Sequence, residues 1–305
     1  MNKHIPTCVA MVRPKKFGFN AQTAGNNAFQ NNIESFTPQQ IQDIALLEFD
    51  NMVNLLKSNQ IKVKVFQDNA GDTPDSIFPN NWFSTFTKET ILYPMYSENR
   101  RKERKPNIYN KISNDLRKPL NTKLLKNEKK GGILEGTGSL VAHYEAKTAF
   151  AALSPRTTSE TLDKFEELTE YKTVRFRANG PDGNLIYHTN VMLTMGDEYA
   201  IIATDSILEE DRQRVLDSLK DVGVEPLEIS NEQAYENFAG NMLQLQNGKG
   251  DKFLVMSAQA KSSLTSEQKD RIENKFGNTI LAPAIHMIEK IGGGSARCMM
   301  AEIFF

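Results

Sequence analysis

The sequence predicts an α/β fold, one domain over residues 1–305, in which five ββαβ-type repeats close into a ring as a pseudo-fivefold, five-bladed propeller. Three observations carry this. Five amphipathic helical segments recur along the chain, with starts 69, 50, 49 and 59 residues apart at positions 38, 107, 157, 206 and 265. Apolar, β-branched runs broken by Gly, Asn and Pro lie between them, and no Gly- or Ser-rich linker divides the chain into halves.

The first strand expected is TCVAMVRP at the N-terminus, which the ring brings against the C-terminal MMAEIFF. A helix over 38–58 follows, then IKVKVF with ILYP, a helix over 107–118, and GGILEG with SLVAHY and KTAFAAL. The helix over 157–170 leads to KTVRFRA with VMLTM and YAIIAT; the helix over 206–222 stops at Gly223. PLEIS, MLQLQ and KFLVM come next, before a helix over 265–276 and the closing TILAPA. Several helices begin at Ser or Thr, whose oxygen accepts from the unpaired N–H groups of the first turn.

A closed ring gathers equivalent positions at its axis. Asp75, Glu135, His188, Asn241 and Cys298 are 60, 53, 53 and 57 residues apart, and each follows or ends the first strand of its repeat. A Cys, a His and two carboxylates brought together in this way read as nucleophile, base and orienting groups. Cys298 follows Gly292, Gly293 and Gly294, which let backbone N–H groups approach a ligand closely, whereas Cys8 sits in an apolar strand and reads as structural. Asn190 shares a side of the chain with His188 by alternation. Asp75 opens a segment, TPDSIFPNNWF, that sets Asn80 and Asn81 before Trp82, a polar patch facing an aromatic wall. His4, His143 and His286 have no equivalent placement, although His143 lies one strand from Glu135.

With 37 Lys and Arg against 38 Asp and Glu, the chain lacks the positive charge of a general nucleic-acid binder. Residues 97–130 are locally basic, with twelve Lys and Arg against four Asp and Glu, and read as a solvated face with one or two arginines turned to a substrate. Two cysteines 290 residues apart make no disulfide framework and no Cys-rich zinc site. No apolar run has the length of a signal peptide before Arg13, or of a membrane span later, so a cytoplasmic protein is expected.

The motifs FPNNWFS, LEGTGS, YHTNVML and SARCMM, in this order and at repeat spacing, resemble those of the guanidino-group-modifying (pentein) superfamily. That superfamily includes arginine deiminase, dimethylarginine dimethylaminohydrolase, succinylarginine dihydrolase and the amidinotransferases; the resemblance is closest to the bacterial citrulline hydrolase-like branch. It spans residues 75 to 300 and implies a five-bladed α/β propeller, Cys298 as nucleophile, His188 as general acid and base, and Glu135 as its acidic partner. It further implies Asp75 as the grip on the substrate's terminal nitrogens, and Arg100 and Arg156 as substrate-carboxylate ligands; Asn80, Asn81, Asn190 and Asn241 are expected to complete the binding set. Departures from the pattern bear on the substrate. Asn80 and Asn81 replace an acidic pair, and Asn190 replaces an aspartate. A guanidinium attracts carboxylates, while a neutral ureido group needs both donors and acceptors, which an amide supplies. The expected activity is hydrolysis of citrulline to ornithine, carbon dioxide and ammonia, without metal or cofactor, on a small-molecule ureido or guanidino amino acid. Membrane and nucleic-acid partners are not expected; a homo-oligomer is left open. Hydrolysis of arginine or methylated arginine, amidino transfer, and a non-enzymatic binding role on the same scaffold are the alternatives.

Overall fold

Among the described residues, fifteen short strands form five three-stranded sheets, with helices in the connections between them. In each, two strands form an antiparallel pair, and a third, returning after a helix, pairs in parallel with the middle one. The computed structural model describes residues 2–25, 27, 29–32 and 35–305. In chain order the first four sheets comprise Phe83–Ser84, Thr90–Leu92 and Leu120–Asn121; Val141–His143, Thr148–Ala152 and Lys172–Phe176; Leu193–Met195, Tyr199–Ile202 and Glu225–Glu228; and Leu243–Gln246, Lys252–Val255 and Asn278–Leu281. The fifth joins the two ends of the chain: Cys8–Arg13 lies antiparallel to Ala301–Ile303, with Cys8 opposite Ile303, and parallel to Lys62–Gln67.

The helices form where the apolar spacing places them. Pro38–Ser58 begins at Thr37 with a reciprocal capping box to Gln40 and buries Ile41, Ala45, Phe49, Met52, Val53 and Leu56 along one stripe. Pro106–Leu116, Ser159–Leu168 and Glu209–Asp221 match the other expected segments, and Ser266–Asp270 continues through a π turn, Arg271–Lys275. The fourth helix segment starts later than 206 because Thr204–Ser206 forms a separate 3-10 turn.

Apolar clusters bind successive sheets together. Ile91, Tyr93, Ala149 and Phe165 join the first to the second. Phe150, Ile201 and Leu254 continue through the third to the fourth, and Leu245, Val255, Val9 and Met300 join the fourth to the fifth. Ala10, Ile303, Trp82 and Leu92 return from the fifth to the first.

Two expectations about strands are corrected. IKVKVF, KTVRF, the segment around PLE and NTIL each close the sheet before them rather than opening the next, because each follows its helix back in parallel. GGILEG forms no strand: Gly131 and Gly136 take positive φ, Leu134 makes only an isolated bridge to Thr157, and Gly136–Ser139 coils into one helical turn. Asp75, Glu135, His188, Asn241 and Cys298 each lie on a crossover from one sheet to the next, whereas Arg100 and Arg156 lie within the connection to the third strand of a single sheet. Among the described residues no helix is long and apolar enough to cross a membrane.

Candidate active site

The crossover loops pack directly on one another, and glycine permits it. A Cβ at Gly136, where φ is +48°, would collide with the backbone oxygen of Asn80. One at Gly138 would collide with Asn81 and stand 2.9 Å from His188 Nδ1, and one at Gly240 would overlap the Val191 carbonyl. Gly292 and Gly294 lie against the ring of Phe78 in the loop that carries Asp75. These contacts bring backbone segments far apart in sequence close enough for their polar side chains to meet.

His188 Nε2 is 2.7 Å from Glu135 Oε2, and both residues are buried. Burial opposes the charge on Glu135, but Arg156 and His188, with Arg100, outweigh it and hold the carboxyl well below the usual carboxylate range. A carboxylate only accepts, so Nε2 carries the proton and Nδ1 is left as the basic nitrogen. Burial pushes the imidazole pKa down to about 4 despite the opposing pull of Glu135, so the ring is neutral at pH 7. Glu135 is further fixed by the backbone N–H of Tyr96, which donates to Oε1 at 2.9 Å. Cys298 receives two amide donors, Asn241 Nδ2 at 3.3 Å and Asn190 Nδ2 at 3.6 Å from Sγ.

Asp75 is buried, and that burial pushes its carboxyl pKa up against the pull of Arg100, Asn20, Arg156 and Thr23. Its Oδ2 accepts from Asn20 at 2.7 Å and lies 3.7 Å from Arg100 Nε; Oδ1 has no hydrogen-bond partner among the described residues. Arg156 stacks over Tyr187 with its guanidinium carbon 4.7 Å from the ring centre, and reaches to 3.5 Å from Glu135 Oε2.

Asp75, Asn81, Arg100, Arg156, His188 and Cys298 share the wall of one narrow cavity, completed by Asn27, Phe78, Tyr187 and the three glycines. Arg156, Tyr187 and Asn27 also border a larger open vestibule. Glu135, Asn190 and Asn241 do not line the cavity; they stand behind it, bonded to His188 or to the Cys298 sulfur. Asn80 is buried away from the wall, its carbonyl accepting from Thr137.

Arg100 does not present an open fork to a substrate carboxylate. Nε and Nη2 form a bidentate pair with Glu103 at 2.9 and 3.0 Å, and Nη1 donates to Asn81 Oδ1 at 3.0 Å. Glu103 was not singled out from the sequence, although its i,i+3 spacing from Arg100 is the signal that would have found it. Trp82 is not the aromatic wall either: it packs against Phe83 in the core, and Phe78 and Tyr187 take that place. His143 binds its own turn, with the Ala146 N–H donating to Nδ1. Among the described residues no group of three His, Cys, Asp or Glu is placed to hold a metal ion.

Comparison with known proteins bears on the fold and the family. No curated protein matches the chain in sequence. Among solved structures, the N-terminal domain of ArgZ, an arginine dihydrolase from the ornithine–ammonia cycle in cyanobacteria, captured as a cysteine-to-serine mutant bound to substrate, is similar. It shares 14% identity with a TM-score of 0.74 over 97% of each chain. AgrE, as a cysteine-to-alanine mutant with L-arginine, gives 13% and 0.75 over 97% of this chain and 40% of that one. A cysteine-to-serine mutant of DDAH from Pseudomonas aeruginosa, complexed with citrulline, gives 13% and 0.67 over 98% and 99%. These likenesses establish a shared mixed α/β fold. The family model for eukaryotic N,N dimethylarginine dimethylhydrolase matches residues 13–305, nearly the whole chain, and the protein accordingly belongs to that family, within the pentein guanidino-modifying superfamily, as a hydrolase acting on C–N bonds.

Proposed function

We propose that the protein hydrolyses the ureido C–N bond of citrulline, releasing ornithine, on a ring of five blades whose axis holds the cavity. The observation that carries the choice of a neutral head group is the polar set around the thiol. Asn190 and Asn241 bond the sulfur, Asn81 lines the cavity, and Asp75 is the one carboxylate on that wall among the described residues, its charge disfavoured by burial.

In the proposed reaction the Cys298 thiol gives its proton to His188 Nδ1 and the sulfur attacks the ureido carbon. His188 returns the proton to the departing δ-nitrogen, ornithine leaves, and a carbamoyl group remains on the sulfur. Water, deprotonated by the same imidazole, attacks that carbon; the C–S bond breaks and carbamate departs, decomposing to carbon dioxide and ammonia. Arg156 holds the substrate carboxylate in this reading, supported by its stacking on Tyr187 and its position where the cavity meets the vestibule. Arg100, held by Glu103, instead positions Asn81.

Family membership favours a second reading, hydrolysis of methylated arginine, and the likeness to ArgZ and AgrE extends it to arginine. Incubation with citrulline, arginine, dimethylarginine and agmatine, with identification of the amino-acid products and ammonia, decides between them. The citrulline reading expects ornithine from citrulline at the highest kcat/KM; a parent protein that prefers a guanidino substrate overturns it.

Two substitutions probe the same reading. Asn81→Asp, whose carboxylate keeps Arg100 Nη1 as a partner, and Asn190→Asp each add negative charge near the head group, which a guanidinium attracts and a neutral ureido does not. The kcat/KM ratio of citrulline to arginine is expected to fall by about 10- to 100-fold, the worth of one hydrogen bond to a charged group. A ratio that stays fixed or rises contradicts the electrostatic basis of selection. Gly138→Ala pushes on Asn81 and on the His188 ring without backbone strain, since Gly138 does not adopt positive φ. Its turnover is expected to fall by about 100-fold, as for other misplacements near 1 Å, with a thermal melt lowered by the overpacking; parent-like turnover would place the basic nitrogen elsewhere.

A further inference from the structure

We infer that Asn241 and Asn190 act on the reacting sulfur itself, as a two-amide cradle that fixes Cys298 Sγ and stabilises its negative charge when the proton leaves. This rests on Cys298 being the nucleophile and assigns the asparagines a role distinct from holding the substrate. Asn241 Nδ2 lies 3.3 Å from Sγ and 2.9 Å from the backbone oxygen of Asn190, while its Oδ1 accepts the Cys298 backbone N–H at 3.3 Å. Turning the amide over would set oxygen against oxygen at Asn190 and N–H against N–H at Cys298. One orientation alone satisfies all three contacts, and it aims a donor at the sulfur. Asn190 Nδ2 supplies the second donor at 3.6 Å.

All three residues are buried, at 2, 1 and 6% exposure for Asn241, Asn190 and Cys298, so these donors act where water screens little. The need for them follows from the other groups present. His188 is uncharged in the resting site, so an imidazolium stands beside the thiolate only after the ring has taken the thiol proton, and a neutral ureido head group brings no positive charge of its own. Backbone geometry makes the cradle specific to this place: Gly240, one residue before Asn241, lies on the Val191 carbonyl, one residue after Asn190, with no room for a Cβ.

The test is the rate at which iodoacetamide alkylates Cys298 at one neutral pH, followed by peptide mass in a Cys8→Ala background. In that reaction the thiolate sulfur displaces iodide, so the rate reads the available thiolate and needs no substrate. Cys8 itself reacts little in any case, since burial pushes its thiol up to about 11. Asn241→Ala and Asn190→Ala are each expected to slow alkylation by about 10- to 100-fold, as loss of a hydrogen bond to a charged group does. Asn241→Asp, which adds a like charge beside the sulfur, is expected to slow it further. Alkylation as fast as in the parent, or faster, in variants that keep the parent's melting temperature overturns the inference and leaves the amides as packing groups. Should Asn241→Ala lose its cooperative melt, Asn190→Ala decides, because its backbone carbonyl and the whole Asn241 bridge remain. A protein that alkylates as expected but leaves citrulline intact separates a wrong substrate from a wrong cradle.

Discussion

Replacing Cys298 by serine is expected to lower turnover by about six powers of ten while leaving the thermal melt near that of the parent, the scale seen when a covalent nucleophile is removed. A serine hydroxyl is a far weaker nucleophile at neutral pH without stronger activation, and His188 has only the pull of one buried carboxylate behind it. The fold is expected to survive because the backbone N–H of residue 298 still donates to Asn241, and the volume change is small. Cys8→Ser supplies the contrast. Cys8 pairs with Lys62 and Ile303 in the sheet that joins the chain ends, remote in function from the cavity, and its substitution is expected to leave turnover within a few-fold. Steady-state rates and melts for both variants check this; a Cys298→Ser protein within a few-fold of the parent removes the nucleophile assignment.

Glu135→Gln is expected to lower kcat by about a thousand- to ten-thousandfold with a much smaller change in KM, the scale found when a buried carboxylate behind a catalytic histidine is made neutral. Ionised Glu135 fixes the Nε2–H tautomer and stabilises the imidazolium formed when His188 takes the thiol proton. A glutamine can present its N–H to the ring instead of its oxygen, which favours the wrong tautomer, and it leaves Arg156 without the carboxylate 3.5 Å away. The pH profile adds a direction. Glu135 raises the His188 pKa against the larger effect of burial, so its removal moves the acid limb of kcat/KM to lower pH. A loss confined to KM, or an acid limb that moves upward, contradicts the role given to this pair.

Periodicity made most of the frame legible. The apolar stripe of Ile41, Ala45, Phe49, Met52 and Leu56 is visible in the sequence alone, as is the complementarity of TCVAMVRP and MMAEIFF at the two ends. The repeat spacing also led to Cys298, His188 and Glu135, which the loops bring to one place. Sequence spacing could not assign the third strand of each sheet, because a short apolar run reads alike whether it opens one sheet or closes another. It overvalued GGILEG as a strand, since the apolar pair Ile133 and Leu134 masks the demand of the flanking glycines for turns. The partners of side chains were least legible. Arg100 reads as a substrate clamp until Glu103 is seen filling its fork, and Tyr187 becomes part of the site only once Arg156 is found stacked upon it. Such pairings are set by rotamers and loop paths, which no periodicity encodes.

The most direct measurement is the mass of the protein quenched in acid during turnover of citrulline, with the modified peptide identified. Covalent hydrolysis of a ureido bond predicts a single carbamoyl group on the Cys298 peptide, appearing at the rate of the first ornithine released and absent from Cys298→Ser. An adduct at another residue, or a burst of ornithine ahead of steady turnover with no adduct on Cys298, would contradict the account.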